Sequence, residues 1–147
     1  MRKFTVTAAL LGLTALGLAV PTTAAQAADS AVVDCGGLWG PRNGNMYAWE
    51  HPNCQGTLLY VGAGNSGDWG DASDRASSVM NRGYVGILDH VAFYDHANYS
   101  GGHGCLAPGE LYAADLSHNR YSDGTIANNS ISAHRWVNRS FCSILWT

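Results

Sequence analysis

The chain has 147 residues, of which only 13% are charged while 10% are aromatic. Disordered chains combine high charge with few aromatic side chains, and coiled coils need Ala, Glu, Lys and Leu at heptad spacing, so both classes are excluded. A net charge of −3 also argues against a general nucleic-acid binder, which needs a basic face for phosphate groups. With 18 glycines spread among the aromatic residues, the composition predicts a small all-β domain.

The first 27 residues have the features of a cleaved secretory signal. Two basic residues open the chain, an apolar run over 8–20 follows, and Ala25-Gln26-Ala27 supplies the small-x-small pattern of a cleavage site. The apolar run is short for a membrane anchor. We therefore expect a secreted, extracellular protein with no membrane segment after cleavage. It would consist of an N-terminal extension over 28–43 and one domain over 44–147.

Four cysteines lie in the part of the chain that would be exported: Cys35, Cys54, Cys105 and Cys142. An even number of cysteines in an exported protein predicts disulfides, here two, and three pairings are possible. Zinc ligation by cysteine is the alternative, but no C-x-x-C motif occurs and an oxidising compartment favours disulfides.

The exported part contains an internal repeat. Trp49–Gly56 and Tyr94–Gly101 share an aromatic residue, an acid, His, Asn and Gly in register. Downstream, Ser73–Ser78 corresponds to Asn128–Ala133. The second pair of segments is spaced further apart than the first, which indicates an insertion in the second copy, expected over 115–128. This duplication predicts two units, at about 44–83 and 89–139. If each unit is closed by its own bridge, the disulfides are Cys35–Cys54 and Cys105–Cys142.

Each unit has the features of strands rather than of helices. Short aromatic or apolar runs predict strands at Met46–Trp49, Ser78–Met80, Val91–Tyr94 and His134–Val137. Two four-stranded units packed face to face would form a sandwich of about eight strands.

The tryptophans are assigned by their surroundings in the sequence. We expect Trp49, with Tyr94, to pack inside the hairpins, and Trp136 and Trp146 to close the second sheet. Trp39 and Trp69 lie in glycine-rich stretches, where exposure is expected.

These repeated segments resemble the βγ-crystallin Greek-key motif. In that family an aromatic residue, six residues and a glycine are followed by Asn/Asp-Asn/Asp-x-x-Ser/Thr-Ser. Ser73–Ser78 departs from the second element at its first position, and Asn128–Ala133 departs at its last, where Ala133 replaces serine. The resemblance spans about 44–137 and implies an all-β sandwich of two Greek-key motifs.

The resemblance also implies calcium binding. In the family, paired motifs form two calcium sites at one end of the sandwich, and each motif contributes to both. The implied ligands are the hydroxyl groups of Ser77 and Ser132, the carbonyl groups of Arg75 and Ser130, and side chains of three further residues. Those three residues are Asp74, Asn128 and Asn129. Ca²⁺ accepts such a set of hard oxygens, and a set with one carboxylate predicts modest affinity.

Alternatives to calcium remain open at these residues. Asx and Ser side chains also cap turns without any metal, and Ser78 is expected to brace its own hairpin. The repeated His51 and His96, or His90, His96 and His103, could suggest zinc, but no fixed ligand spacing is present. No G-x-S-x-G or similar catalytic context occurs, so the sequence gives no sign of an enzyme.

Two functions follow from these observations. The first is a secreted, monomeric β-sandwich whose calcium chiefly stabilises the fold. The second is a peptidase inhibitor or toxin-like binding module, because small exported proteins with this fold and two disulfides resemble the actinobacterial metalloproteinase inhibitor family. Its partner would be a secreted protease, contacted through an exposed loop at Gly62–Asp74 or Ser117–Thr125.

Overall fold

The computed structural model of the protein describes residues 33–147, so the predicted signal over 1–27 lies outside the described residues. One short helix, α1 (Cys35–Leu38), precedes the strands. The strands are β1 (Asn45–His51), β2 (Gln55–Gly62), β3 (Ser78–Arg82), β4 (His90–His96), β5 (Ser100–Leu106), β6 (Tyr112–Ala113), β7 (Ala133–Val137) and β8 (Leu145–Trp146). Short 3-10 helices occupy Pro52–Cys54, Gly70–Ala72, Ala97–Tyr99, Leu116–His118 and Arg139–Phe141. Within residues 33–147, no helix is long and apolar enough to cross a membrane.

The eight strands form two four-stranded sheets. The first sheet has the order β2-β1-β3-β6 and the second has the order β7-β4-β5-β8. Every pair is antiparallel except β5 with β8, which is parallel. The prediction of an all-β sandwich with about eight strands is therefore confirmed.

The sheets are not confined to their own repeats. Strand β6, from the second half of the chain, pairs with β3 of the first half through Val79 opposite Ala113. In return, Ser66 from the first half forms an isolated antiparallel bridge with His134 of β7. The expectation of two four-stranded units packed face to face is refined accordingly, because each half contributes backbone pairing to the sheet of the other.

The equivalent hairpins turn at the same places. A 3-10 turn separates β1 from β2 and another separates β4 from β5, and in each the Asn of the repeat, Asn53 or Asn98, has a φ of 58°. The glycine that ends each repeated segment also has a positive φ, 75° at Gly56 and 77° at Gly101. Left-handed conformations suit Asn and Gly, so the repeated residues are those that the turn requires.

The core lies between the sheets and follows the alternation of the strands. Met46, Ala48 and Val79 of the first sheet face Val91 and Phe93 of the second in one buried cluster. Trp146 of β8 is 1% exposed and its ring stacks on Phe93, with ring centroids 5.3 Å apart. Its burial agrees with the expectation that Trp146 closes the second sheet.

The structure corrects the expected exposure of Trp69. That residue is only 5% exposed and belongs to the core, where its ring stacks on Tyr60 at 5.1 Å. Trp39 is half-buried against the cluster around Cys35 and Trp49. A glycine-rich segment therefore folds back over the sandwich because its aromatic side chain fills a gap between the sheets.

Both disulfides link residues within one half of the domain. Cys35 is bonded to Cys54 and Cys105 to Cys142, and the four described cysteines leave none free. The first bridge ties α1 to the β1–β2 hairpin, and the second ties β5 to the segment that leads into β8. The connectivity is the one expected if each unit is closed by its own bridge.

Candidate functional site

The two Asx/Ser segments of the repeat meet at one edge of the sandwich. The backbone N–H of Asp74 donates to the carbonyl of Ile131 at 2.9 Å, and the N–H of Asn129 donates to the carbonyl of Ala76 at 2.8 Å. Asp74 and Asn129 both have a left-handed backbone, with φ of 60° and 54°. Each segment is therefore held by the other through the same pair of backbone contacts.

Side chains cross between the segments in the same reciprocal way. The Ser77 hydroxyl donates to Asn129 Oδ1, and the Ser132 hydroxyl donates to Asp74 Oδ1, each at 3.1 Å. Both serines are buried, at 5% and 7% exposure, while Asp74 and Asn129 are exposed. The predicted ligands Asp74, Ser77, Asn129 and Ser132 thus come together as two crossed pairs.

The Ser132 pair is richer in oxygen acceptors. Besides Asp74, the Ser132 hydroxyl contacts the backbone carbonyl of Asp95 at 3.1 Å. Asp95 Oδ1 is buried and has no hydrogen-bond partner within residues 33–147. His96 Nδ1 lies 3.9 Å from this oxygen. The acceptors that meet at the Ser132 hydroxyl are therefore Asp74 Oδ1 and the Asp95 carbonyl, which are hard oxygens of the kind that Ca²⁺ accepts.

The Ser77 pair already has a cation nearby. Arg75 Nη2 lies 3.0 Å from Glu50 Oε1, and both side chains line a hollow that also includes Asp74 and Asn129. Hydrogen bonds from Thr57 and then Arg75 lower the pKa of the Glu50 carboxyl. The guanidinium group satisfies the local acid, so this half attracts a metal ion less than the other.

Two predicted ligand residues remain, Ser130 through its carbonyl group and Asn128 through its side chain. The hydroxyl of Ser130 donates to the carbonyl of Ile126 at 3.1 Å and lies 3.2 Å from Tyr121 Oη, within hydrogen-bond distance. Asn128 Oδ1 is buried without a hydrogen-bond partner in the described part of the chain. Ser78, expected to be structural, donates to the carbonyl of His51 at 2.7 Å and accepts from the N–H of Cys54 at 3.0 Å.

The histidines considered for zinc are dispersed. His51 and His96 are exposed at the hairpin tips, and His90 pairs with Asp89 at 2.7 Å. Across residues 33–147, no group of three or more His, Cys, Asp or Glu side chains is placed to hold a metal ion.

His134 is a buried histidine that sequence reasoning missed. It is fully buried, its Nδ1 accepts from Trp69 Nε1 at 2.8 Å, and its Nε2 lies 2.9 Å from the carbonyl of Gly64. Burial lowers the pKa of His134 to about 4, so the ring is neutral at pH 7 and its Nε2–H donates to Gly64. Its partners lie far away in sequence, and no local motif marks this role.

The connection between β3 and β4 presents a second, unanticipated feature, which we call the apolar loop (Gly83–Asp89). Four of its side chains are apolar or aromatic and strongly exposed: Tyr84 at 67%, Val85 at 70%, Ile87 at 85% and Leu88 at 58%. Ile87 is the most exposed large hydrophobic side chain among residues 33–147. Such a concentration of apolar surface is typical of a contact site.

Both ends of the apolar loop are fixed by buried Asn81. Its side-chain oxygen accepts from the N–H of Gly83 at 2.9 Å, and its amide donates to the carbonyls of Asp89 and Leu106 at 2.8 Å and 3.1 Å. Arg42 Nη1 also donates to the carbonyl of Gly83 at 2.7 Å. The loop therefore presents its apolar side chains from a fixed base.

The two loops expected to contact a protease are each partly anchored to the body of the domain. Gly62–Asp74 is tied to the body by the Ser66 bridge and by Trp69 in the core. Within Ser117–Thr125, Asn119 and Tyr121 are buried, and the other seven residues are exposed. The exposed apolar loop escaped prediction because a short, glycine-containing stretch between two repeats is usually only a linker.

The sequence and the fold were compared with known proteins. The model of peptidase inhibitor family I36 matches residues 42–106, which include the apolar loop. No curated protein matches the sequence significantly.

Solved βγ-crystallin structures have a similar fold. One, from work on the evolution of the eye-lens βγ-crystallin domain fold, has a TM-score of 0.52 and 22% identity, over 68% of this chain and 91% of the other. An archaeal βγ-crystallin has a TM-score of 0.47 and 24% identity, over 63% and 96%. A βγ-crystallin domain from Flavobacterium johnsoniae has a TM-score of 0.46 and 13% identity, over 66% and 97%.

The described residues therefore have a βγ-crystallin-like fold. Residues 42–106 resemble peptidase inhibitor family I36. The two disulfides suit an extracellular protein.

Proposed function

We propose that this protein is secreted and inhibits an extracellular peptidase. The match of residues 42–106 to peptidase inhibitor family I36 carries the proposal. The predicted signal over 1–27 and the two disulfides support export to an oxidising compartment.

The scaffold is rigid enough to present a pre-organised contact surface to a peptidase. A peptidase inhibitor binds tightly when its contact surface is already in the bound conformation, because less conformational entropy is lost on association. Two sheets, a shared core and two disulfides hold the loops of this domain in place. The inhibitor is therefore expected to act as a folded body.

A panel of secreted metallo- and serine endopeptidases tests this proposal. Each is incubated with the purified mature protein, and hydrolysis of a chromogenic peptide is followed over time. We expect dose-dependent loss of activity for at least one of them, and no loss with protein that has been reduced and alkylated. If every peptidase keeps full activity at micromolar protein, the proposal is wrong.

Calcium binding is a second candidate function, favoured by the Ser132 hydroxyl, which lies 3.1 Å from Asp74 Oδ1 and 3.1 Å from the backbone carbonyl of Asp95. The residues fit the ion, because a carboxylate, a hydroxyl and a backbone carbonyl are hard oxygen donors. Asp74, Ser132 and Asp95 would hold calcium, which would link the two halves of the edge and so stabilise the fold.

Thermal unfolding with millimolar calcium and with excess chelator tests the calcium proposal. A ligand that binds only the folded state raises the melting temperature by mass action. We expect a higher melting temperature with calcium than with chelator, and an unchanged value with magnesium. Identical melting in calcium and chelator would exclude a stabilising calcium site.

A further inference from the structure

We propose that the apolar loop (Gly83–Asp89) enters the substrate cleft of the target endopeptidase, and that Ile87 fills a pocket for large aliphatic side chains. This inference rests on the proposed inhibitory function and assigns it to a segment.

The exposure of the loop is not explained by the fold. Tyr84, Val85, Ile87 and Leu88 are each more than half exposed, although the core between the sheets is closed without them. Leaving large apolar side chains in water gives up the free energy of their burial. Four such side chains in one short segment are therefore best explained by a partner that covers them.

The loop is also pre-organised. Asn81 binds both of its ends, as described above, and Gly86 N–H donates to Asp89 Oδ2 at 3.1 Å across the turn. The Trp136 ring packs on the base so closely that a Cβ on Gly83 would lie 2.4 Å from it. An apolar loop whose base is fixed by these contacts loses little conformational entropy when it binds a partner.

The chemistry of the tip defines the pocket that it fits. Residues 84–88 contain no charged side chain. The carboxylate of Asp89, at the end of the loop, is already hydrogen-bonded to His90 Nδ1 and to the backbone N–H of Gly86. A pocket that selects Lys or Arg would leave its own buried acid unpaired on this loop, which is costly. The tip therefore fits an endopeptidase that selects large uncharged aliphatic side chains.

Substitutions at the tip test the assignment. Ile87→Ser and Val85→Ser are compared with Leu58→Ser on β2 and with Ile126→Ser, each wild-type control residue being 46% exposed. Ile126 directly follows the alternative loop Ser117–Thr125, so it also reports on that surface. Thermal melting of each variant shows whether it is folded.

Inhibition constants are measured against an endopeptidase that cleaves beside large aliphatic residues and against one that cleaves after Lys or Arg. We expect inhibition of the first only. Ile87→Ser should weaken it about ten- to hundredfold, the effect of withdrawing one buried aliphatic side chain. Leu58→Ser and Ile126→Ser should inhibit as wild type does.

The other outcomes separate the two proposals. If wild type inhibits but Ile87→Ser and Val85→Ser inhibit equally well, the loop assignment is wrong while the inhibitory function stands. If only Ile126→Ser weakens inhibition, the peptidase contacts the Ser117–Thr125 loop instead and the assignment to the apolar loop is wrong. If the wild type inhibits neither enzyme and sedimentation shows dimers that Ile87→Ser abolishes, the loop joins two copies of this chain and the inference is overturned.

Discussion

Two buried polar side chains join parts of this molecule that are distant in sequence. His134 on β7 bonds to Gly64 and Trp69 of the first half of the domain, and Asn81 links both ends of the apolar loop to β5. Neither residue belongs to a recognisable motif. The role of each depends on which polar groups the fold leaves without hydrogen-bond partners, and this cannot be predicted from local sequence.

Burial of neutral His134 should make stability depend on pH. Its pKa is lowered to about 4 in the folded state, so the unfolded chain binds more protons between that value and the ordinary histidine pKa. Stability is therefore complete above the unfolded pKa and is lost as the pH falls. Denaturant titrations should show a decrease on the order of 2 kcal/mol between about pH 7 and about pH 4.5 from this residue.

The variant His134→Gln isolates that contribution. It should be less stable than wild type at neutral pH but should lose less stability on acidification. His103→Gln is the matched control, because burial lowers the pKa of half-buried His103 too, though less strongly. Parallel pH profiles for wild type and His134→Gln would show that His134 is not the group responsible.

At the level of the elements, the sequence predicted β1, β3, β4 and β7 well. Their aromatic and apolar runs, bounded by turn residues, are sufficient signals. The exchange between sheets was not predictable, because β6 has two residues and the Ser66 contact is a single bridge. Such short pairings are determined by the position of the sheet edge rather than by local propensity.

Substitution of Gly83 and of Gly86 in the apolar loop should change the unfolding free energy by different amounts. Gly83→Ala would push a methyl group into the Trp136 ring and should lower the unfolding free energy by about 1–3 kcal/mol. Gly86→Ala should stay within about 1 kcal/mol of wild type, since no atom of the described chain lies within 4 Å of the place that the added methyl group would take. Chemical denaturation measures both. Equal effects of the two changes would contradict the packing described here.

Calcium stabilisation of the edge where Ser77 pairs with Asn129 and Ser132 pairs with Asp74 should depend unequally on the two serine hydroxyls. Ser132→Ala removes the contacts with Asp74 and Asp95, whereas Ser77→Ala removes only the contact with Asn129. The increase in melting temperature caused by calcium should therefore fall more in Ser132→Ala than in Ser77→Ala. Ser78→Ala, a residue that braces the hairpin, should lower the melting temperature with and without calcium by similar amounts.

A larger loss of the calcium response in Ser77→Ala than in Ser132→Ala would place the ion beside Arg75 instead. That result would contradict the electrostatic difference between the two halves, since Arg75 already satisfies Glu50. Scanning calorimetry of the three variants in calcium and in chelator decides the matter.

For the whole molecule, the disulfides should contribute a large part of the stability. The Cys105–Cys142 bridge closes a longer segment than Cys35–Cys54, with sequence separations of 37 and 19. Chain-entropy arguments give about 3–4 kcal/mol for each bridge, with the longer one contributing slightly more. Denaturant unfolding of Cys105→Ala/Cys142→Ala should show this loss. A change below about 1 kcal/mol would mean that the unfolded chain is already compact.

The candidate sites differ in how far the sequence could predict them. Asp74, Ser77, Asn129 and Ser132 come together because a duplicated segment folds twice in the same way, and duplication is visible in the sequence. The apolar loop is different, because its exposure depends on Asn81 and Trp136 holding its base. Apolar residues in a sequence are ordinarily assigned to the core, and only the packed structure identifies those that are excluded from it.

Titration of an active-site-quantified endopeptidase of aliphatic specificity with this protein tests the central claim most directly. We expect residual activity to fall in proportion to added protein until the two are equimolar, as tight inhibition by a folded domain requires. Activity that remains at its uninhibited value past the equimolar point, with a protein shown to be folded and oxidised, would contradict inhibition of an endopeptidase of this specificity.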